Sequence, residues 1–449
     1  MAEPQRSEPP GVAPEAPDLT EAAGAAQVEV PPALVAQSLG EYITASVARV
    51  RSGESGVLPV IVGLLAIMIV FQVISPGHVF LSPGNLVNLF QQSAVFMVLA
   101  MAEGFALLLG EIDLSIGYVG AVGAAITVQL VQPVTTKWPW WAAIIAGLAF
   151  CTAYGALQGL LITRLRLPSF IVTLAGFLIG NGLMLIILLL GPFSGFPSLA
   201  GIDFNQQVLY NLMWGAIDPI VSWILGVLLI VGLGGWIWLG DARRRRSGLV
   251  APPASLTFIK IGLIAAVTIV VVAICDTNRA NLGVVEGVPW VIGIVLAVLG
   301  AWTILLRRTR YGRYVYAIGG NPEAARRAGV NLSLIRTVAF ALCAMTAGIG
   351  LLLFASYLGG MSNNVNGGQL VLYAVAAAVI GGTSLFGGRG NPLHGVLGGL
   401  VIGAIYNGMY LQGLAVQYQF IVTGLVLIAA VTIDSVSRRG ALTGSVGRI

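Results

Sequence analysis

The sequence is short of charge for its length. Only 9% of the 449 residues are charged, whereas a soluble globular protein carries roughly 25% charged residues because its surface faces water. Hydrophobic residues make up 57% of the chain, and the mean hydropathy is +0.91. Most of the surface must therefore face something other than water, and this composition excludes an ordinary soluble domain.

Lysine, histidine and cysteine are also scarce, and their scarcity excludes several kinds of chemistry. The only lysines are Lys137 and Lys260, and no G-x-x-x-x-G-K-[ST] motif occurs, so the chain cannot hydrolyse ATP through a P-loop. The histidines, His78 and His394, are isolated, and the three cysteines lie in apolar runs without a Cys or His neighbour. We therefore predict no catalytic residue, no metal site and no cofactor bound by this chain.

Long apolar runs are abundant. A bilayer core of about 30 Å requires a helix of about 20 largely apolar residues, and 59 glycines would let such helices pack closely. Polar breaks at 110–117 and 381–391 could make a neighbouring segment re-entrant, so the sequence predicts an all-α polytopic transmembrane helical bundle of about 10–12 spans. The candidate segments are 57–74, 92–110, 114–132, 139–162, 168–190, 219–240, 257–275, 288–306, 333–357, 370–384, 393–411 and 416–434.

The two ends of the chain differ from this apolar centre. Residues 1–32 are rich in Pro, Ala and Glu and cannot bury enough apolar area to offset their ordering entropy, so we expect a disordered tail. Residues 33–51 show helical apolar spacing, which fits an interfacial helix or a solvated leader equally well. The predicted organisation is a cytoplasmic tail over 1–55, a transmembrane domain over 56–437 and a second cytoplasmic tail over 438–449.

Basic residues are distributed unevenly among the predicted loops. Cytoplasmic loops of membrane proteins carry an excess of Lys and Arg. If twelve spans alternate from a cytoplasmic N-terminus, only Lys137 and Arg279 of the 23 basic residues fall in external loops. The sequence therefore predicts that the N- and C-termini are both cytoplasmic. The internal loops then hold Arg164, Arg166, the cluster 243–246, Arg307, Arg308, Arg310, Arg313, Arg326, Arg327, Arg389, Arg438 and Arg439.

The longest cytoplasmic connection, 307–332, contains the pattern of a complete short helix. Asn321 can accept hydrogen bonds from free backbone N–H groups, and Gly329 can take the left-handed conformation that ends a helix. Glu323 suits the positive end of the helix dipole, and the arginines lie towards the other end. Such a helix fits a docking element for another protein, and the alternative is an ordinary amphipathic linker. The helix comprises Asn321, Pro322, Glu323, Ala324, Ala325, Arg326, Arg327, Ala328 and Gly329.

Three ordered motifs resemble a known family. The stretch 309–329 resembles the coupling loop of permease subunits in bacterial ABC monosaccharide importers of the ribose/xylose type. Gly-Glu-Ile-Asp-Leu-Ser-Ile-Gly at 110–117 is similar to that family's second signature. Ala-Val-Ile-Gly-Gly-Thr-Ser-Leu-Phe-Gly-Gly at 378–388 is similar to its third. The resemblance extends over residues 80–437.

Within that family the chain most resembles the xylose-type branch. Glu111, the stretch 168–176 and an extra pair of spans at 219–275 around the basic loop 243–246 are typical of that branch. One departure concerns residues 371–373, where many members have Glu-Leu-Asp and this chain has Val-Leu-Tyr. If that acidic pair helps to admit a sugar, this chain admits its sugar differently.

The resemblance implies a subunit of an ATP-binding-cassette importer that moves xylose or a related monosaccharide across the bacterial cytoplasmic membrane. It implies as partners an ABC ATPase subunit that uses ATP, an extracytoplasmic sugar-binding protein, a second copy of the chain and the lipid bilayer, but no nucleic acid. The alternative is a single-chain proton- or sodium-coupled sugar symporter, which needs a relay of buried titratable groups. Here Glu103, Glu111 and Asp113 are the only acids well inside spans or at their breaks, and they cluster in one place.

The polar residues near the breaks have two interpretations. Charges in lipid cost several kcal/mol, so Glu111 and Asp113 should face protein or water. One hypothesis places a sugar path at the breaks, and the other is that Asp113 or Ser115 merely caps the helix that begins at Leu114. Gln91, Gln92, Asn181 and Asn407 could contact sugar hydroxyls or could bond between helices. The residues of the hypothetical sugar path are Glu111, Asp113, Ser115, Thr383, Ser384 and Asn407.

Overall fold

The computed structural model describes residues 40, 57–190, 197–199, 201, 203–248, 252–279, 284–415, 417–425, 428 and 432. Within these residues the chain forms α-helices and no β-strand, apart from two isolated bridges. The all-α prediction is therefore confirmed. The predicted tails 1–55 and 438–449, with the possible interfacial helix, lie outside the described residues, except for Gly40.

The helices are numbered here in chain order. A short 3₁₀ turn, Pro76–His78, follows the first helix, and residues 417–425 are helical after the last numbered one. The α-helices are α1 (Leu58–Ile74), α2 (Pro83–Leu108), α3 (Ile116–Leu130), α4 (Trp140–Arg164), α5 (Ser169–Leu190), α6 (Phe204–Trp214), α7 (Pro219–Arg246), α8 (Ala254–Cys275), α9 (Trp290–Arg308), α10 (Arg310–Gly320), α11 (Pro322–Arg327), α12 (Leu332–Leu358), α13 (Gly367–Ile380) and α14 (Pro392–Leu411).

Length and composition identify the helices that can cross a membrane. Seven of the described helices are long and apolar enough to do so, namely α2, α4, α5, α7, α8, α9 and α12, and α1, α3 and α13 are shorter apolar helices. Each predicted segment overlaps one observed helix, with α14 at 393–411 and the helical residues 417–425 at the start of 416–434. Helices α6 and α10 were not predicted.

Several helices begin at capping residues that the sequence supplies. The side chains of Asp203 and Asp218 accept hydrogen bonds from backbone N–H groups at the starts of α6 and α7. Asn331, Asn366 and Asn391 do the same at the starts of α12, α13 and α14. An N-cap of this kind satisfies a donor that otherwise has no partner inside the helix, so these residues fix where each span begins.

The centre of the bundle is formed by α2 and α12. In α2, 94% of the most apolar stretch is buried, and in α12 the share is 67%. Helix α2 packs against α12, α13 and α14, and α12 also packs against α3 and α4. The backbones approach closely where Gly399 of α14 lies against Met97 of α2, since a Cβ atom at Gly399 would collide with the Met97 backbone. Small residues allow this kind of packing in membranes, where close contact drives helix association.

Helices α7 and α8 form a hairpin at the periphery. Only 17% of the most apolar stretch of α7 and 11% of that of α8 are buried, and the two helices pack mainly against each other. At their contact, Gly226 of α7 has no side chain, and the side chains of Thr268 and Val272 of α8 pack against it. The hairpin is the extra pair of spans that the sequence predicted, and its apolar outer surface is suited to lipid.

The helix ends fall into two groups. Helices α4, α7 and α9 finish, and α12 begins, at an end marked by Arg164, Arg246, Arg308 and Arg336, which we call the basic end. The loops after α3 and α8, which contain Lys137 and Arg279, lie at the other end, which we call the opposite end. That the basic end is cytoplasmic remains a prediction from the arginine distribution.

Candidate functional site

The two polar breaks predicted from the sequence meet in the structure. The first separates α2 from α3, and the second separates α13 from α14. The backbone N–H of Gly388 donates to the carbonyl of Leu108 at 2.9 Å, which joins the second break to the end of α2. Gly110 of the first break faces the Phe386 carbonyl of the second. Segments some 270 residues apart in the chain thus form one loop cluster at the basic end.

Glycine is required at this junction for two reasons. Gly110 and Gly387 have φ angles of 77° and 83°, in the left-handed region that side chains disfavour. A Cβ atom at Gly387 would also lie 2.8 Å from the Gly319 carbonyl oxygen and 2.9 Å from the Gly110 nitrogen. Both the backbone conformation and the close packing therefore exclude a larger residue.

Helix α10 connects this junction to the predicted coupling loop. Its Gly319 lies against the Leu108 carbonyl and Gly388, and the Tyr316 hydroxyl donates to the Gly390 carbonyl at 2.8 Å. Sequence reasoning missed this helix, although Thr309 caps it by accepting from Gly312 N at 3.3 Å. The signal that could have found it is the apolar spacing that culminates in the buried residues Val315 and Ile318.

Helix α11 is the short capped helix expected within the loop 307–332. The Asn321 side chain accepts from Ala324 N at 2.9 Å, and Glu323 pairs with Arg326 at 2.8 Å and with Arg327 at 3.3 Å. The hydrogen bond from Arg326, supported by its charge, lowers the pKa of Glu323 below its usual value. Gly329 takes φ 82°, as predicted. Of residues 321–329 only Ala325 is buried, so the remaining surface is free to contact another molecule.

The acidic residues of the first break are held by protein groups. Glu111 forms an ion pair with Arg336 at 3.1 Å, beside a crevice that also contains Arg166 at the basic end. Asp113 is fully buried, and its Oδ1 accepts from the backbone N–H of Ser115 at 2.9 Å and from the Ser115 hydroxyl at 2.6 Å. Its own N–H donates to Glu103 at 3.1 Å. These bonds hold the turn before α3. The helix begins at Ile116 and not at Leu114, and no side chain forms a capping hydrogen bond at its start.

The remaining residues of the hypothetical sugar path lie in two places. Thr383 and Ser384 are buried in the second break, where the Ser384 hydroxyl accepts from Phe386 N at 3.0 Å. Asn407 lies on α14, away from the breaks, and its Nδ2 donates to Gln92 Oε1 at 3.1 Å. The structure therefore brings five of the six residues to the basic end, and connects the sixth to a different feature.

That feature is a cavity of ≈ 340 Å³ towards the opposite end, between α2, α12, α13 and α14. Its size falls in the range of small-molecule sites. Amide and phenol groups are fixed at its wall, because Gln92 Nε2 donates to Tyr357 Oη at 3.0 Å and Gln369 Nε2 donates to Tyr373 Oη at 2.7 Å. Among the residues that the structure describes, no charged side chain lines it. The lining is Gln92, Val95, Phe96, Phe354, Tyr357, Leu358, Ser362, Asn364, Val365, Asn366, Gln369, Leu370, Tyr373 and Tyr406.

Sequence reasoning found one edge of this cavity and missed the rest. Gln92 was a candidate for hydroxyl contacts, but Tyr357, Gln369 and Tyr373 were not. A usable signal is the i, i+4 spacing of Gln369 and Tyr373, which places both on one face of α13. Tyr373 also ends the Val-Leu-Tyr sequence that departs from the family pattern, so the departure falls at the cavity wall.

These features define a multi-pass membrane protein with two joined breaks, an exposed capped helix and an internal cavity. The family profile described as "Branched-chain amino acid transport system / permease component" matches residues 85–431. The chain belongs to this family. It is a permease subunit, not an enzyme, and a multi-pass protein of the inner membrane.

Curated relatives cover nearly the same length. The xylose transport system permease protein of Escherichia coli strain K12 is 32% identical over 384 residues, which is 85% of this chain and 92% of the relative. The corresponding xylose protein of Haemophilus influenzae is 31% identical over 401 residues, covering 87% and 99%. The ribose import permease protein of E. coli K12 is 27% identical over 375 residues, covering 84% and 92%. No solved structure matches the chain.

Proposed function

We propose that the cargo of this permease is a monosaccharide, xylose or a related sugar, and that the chain acts within an ATP-binding-cassette importer. The observation that carries the proposal is the similarity to xylose permeases across 85% of the chain. The family also has a description that names branched-chain amino acids. The chemistry of the cavity therefore has to distinguish between the two kinds of cargo.

The cavity between α2, α12, α13 and α14 suits a neutral, hydroxyl-rich molecule. Its amides and phenols can both donate and accept, as sugar hydroxyls do, and Phe96, Tyr373 and Tyr406 offer aromatic faces for the C–H groups of a sugar ring. An amino acid carries a carboxylate and an ammonium group, and burying these without charged partners costs several kcal/mol. The absence of charge among the lining residues favours a sugar.

The breaks have a different role in this proposal. They lie at the basic end, which we place in the cytoplasm, and α10 links them to α11 through Gly319 and Tyr316. When a separate ATPase subunit moves α11, the movement passes through α10 to the ends of α2 and α13. Glu111, Asp113, Ser115, Thr383 and Ser384 would then act at the inner part of the path or shape it, and Asn407 would support Gln92 at the outer cavity.

The missing P-loop indicates one partner, and the resemblance to ABC importers indicates the others. The chain has no P-loop, so ATP is used by an ABC ATPase subunit that docks on α11. An extracytoplasmic sugar-binding protein delivers the sugar at the opposite end, and two copies of the chain form the pore. This chain itself binds no cofactor. The symporter alternative is disfavoured because relatives that match most of the chain are named as transport system permease proteins, and because Glu103, Glu111 and Asp113 lie together at the first break.

The test of cargo is a competition experiment in cells that contain the complete transport system. Uptake of labelled xylose should fall when excess unlabelled xylose, ribose or allose is present, and should not change with excess leucine or isoleucine. Uptake of labelled leucine that depends on this chain, with no uptake of any pentose or hexose, would contradict the sugar assignment and support an amino acid.

A further inference from the structure

A group of arginines at the basic end takes no part in the proposed transport path. Arg243, Arg244 and Arg246 end α7, and Arg308 ends α9. All four are exposed, and among the described residues none of them forms an ion pair. The nearby acid, Asp241, accepts instead from the Thr257 hydroxyl at 2.8 Å. The cluster is therefore an uncompensated positive surface.

Two tryptophans place this surface at the membrane boundary. Trp236 and Trp238 lie near the basic end of α7 and are partly exposed, as expected of the aromatic residues at the level of lipid headgroups. The guanidinium of Arg308 stands over the Trp236 ring at 5.4 Å, so α9 presents its last arginine at the same level. Arg245 instead stands over Trp238 and bonds to Thr257 at 2.9 Å, which commits it to the turn between α7 and α8.

The helical repeat puts Arg243 beside the same tryptophan. Arg243 follows Trp236 by seven residues, about two turns, and so lies on the same face of α7, about 10 Å further along the axis. Arg244 and Arg246 are turned roughly 80° to either side of that face. Arg243 thus lies on the face of α7 that Arg308 approaches, an arrangement in which two guanidinium forks could hold one phosphate group between them.

Above this pair the surface has room for acyl chains. Helices α7 and α9 do not pack against each other along their lengths. Gly232 and Gly240 each lie within roughly 40° of Trp236 around α7. Nothing lies within 4 Å of the Cβ position at either glycine. The face of α7 that carries Trp236 thus leaves open space beside small residues, from the two arginines into the apolar zone.

We propose that the basic ends of α7 and α9 form a binding site for an anionic phospholipid, with the phosphate between Arg243 and Arg308 and an acyl chain along the open face of α7 past Gly240 and Gly232. Basic clusters between spans on one side of a membrane are suited to acidic headgroups. The inference rests on the chain's membrane location and not on its cargo. A soluble anion would use the arginines alone, whereas a lipid uses the open face of α7 as well.

The experiment measures lipid binding to the purified full-length chain. The chain is stripped of lipid in detergent, phosphatidylglycerol or phosphatidylcholine is added back, and bound lipids are counted by native mass spectrometry. We expect one preferred phosphatidylglycerol, weakened at least about tenfold in Arg243→Gln/Arg308→Gln. The matched control, Arg244→Gln/Arg246→Gln, removes the same charge from the neighbouring faces and should stay within about twofold of the native chain.

Three results would overturn the proposal. Equal weakening by both double variants would mean a diffuse surface attraction and no site. Displacement of the lipid by millimolar inorganic phosphate would mean a soluble-anion site. Loss of ATPase copurification in Arg243→Gln/Arg308→Gln, with lipid binding unchanged, would assign this face to a protein partner. Circular dichroism and size-exclusion profiles equal to those of the native chain establish that both variants are folded.

Discussion

At the scale of single residues, Tyr373 ends the Val-Leu-Tyr sequence at which the chain departs from the pattern that the family resemblance implies. That pattern has an acidic residue at this position, whereas the Tyr373 hydroxyl accepts from Gln369 in the cavity wall. A phenol can replace a carboxylate as a hydrogen-bonding group without adding a charge to the cavity. We infer that the neutral character of the cavity is set at this position.

Tyr373→Phe tests the role of that hydroxyl. The ring and its edge-on contact with Phe96 are kept, but Gln369 loses its partner and the sugar loses one polar contact. A net hydrogen bond is worth about 1 kcal/mol, so the kcat/KM of sugar uptake should fall about fivefold. Tyr418→Phe, which lies on an exposed surface, is the matched control and should leave uptake unchanged. Native uptake by both variants would remove the cavity from the sugar path.

Gly387→Ala tests the junction of the two breaks. A left-handed residue other than glycine costs about 1–2 kcal/mol, and the added methyl group also collides with Gly319 and Gly110. Gly413→Ala is the control, because Gly413 has φ 63° but open space around it. The melting temperature of Gly387→Ala should therefore fall further than that of Gly413→Ala, and only Gly387→Ala should lose ATP-dependent uptake. Equal effects would show that backbone strain alone matters at the junction.

At the scale of elements, the spans were predictable and the junctions between them were not. Long apolar runs place most helix ends to within a few residues because the bilayer imposes length and composition. The start of α2 at Pro83 and the end of α7 at Arg246 lie further from the predicted bounds, 92 and 240, because these ends are more polar than the apolar runs. Helix α10 was missed because its polar exterior hides its apolar spacing. The meeting of the two breaks depends on glycine backbones far apart in the chain, and no local pattern reports such a contact.

One part of the candidate site could be predicted from the sequence and another part could not. The capped helix 321–329 could be derived residue by residue because capping is local. The cavity could not, because Gln92, Tyr357 and Tyr373 lie on three helices whose packing was unknown. Asp113 could be interpreted in two ways from the sequence, and the structure shows it bonded to Ser115 in the turn before α3, without a side-chain capping hydrogen bond at the helix start.

Ala324→Asp tests whether α11 docks on another protein. Ala324 is exposed in the isolated chain, so a charge there should change the free energy of unfolding by only about 0.5 kcal/mol. In an interface, an unpaired buried charge costs several kcal/mol, so copurification of the ATPase and sugar uptake should both be lost. Ala324→Ser, which adds a small uncharged group, is the control and should retain both. Full uptake by Ala324→Asp with normal ATPase recovery would make α11 a linker.

At the scale of the whole molecule, the chain is a bundle with distinct chemistry at its two ends. The basic end carries the joined breaks and α11, and the opposite end carries the neutral cavity. The α7–α8 hairpin stands beside this core and offers its apolar surface to lipid. Transport in this account depends on which end faces the cytoplasm.

Single cysteines test that orientation. In a background without Cys151, Cys275 and Cys343, a cysteine at Arg244 or Gly329 should resist membrane-impermeant thiol reagents in intact cells. A cysteine at Val134, which is exposed at the opposite end, should react. Opening the cells should make the first two react as well, which shows that they are accessible. Labelling of the Gly329 site from outside would reverse the orientation and remove the docking role of α11.

The most direct test of the central claim is reconstitution of uptake in liposomes. The purified chain alone should neither hydrolyse ATP nor take up labelled xylose, even with an imposed proton or sodium gradient, because it has no P-loop and its acids Glu103, Glu111 and Asp113 lie in one cluster at the first break. Adding the cognate ATPase inside and the sugar-binding protein outside should produce uptake that requires ATP. Gradient-driven uptake by the chain alone would contradict the account and identify a single-chain symporter.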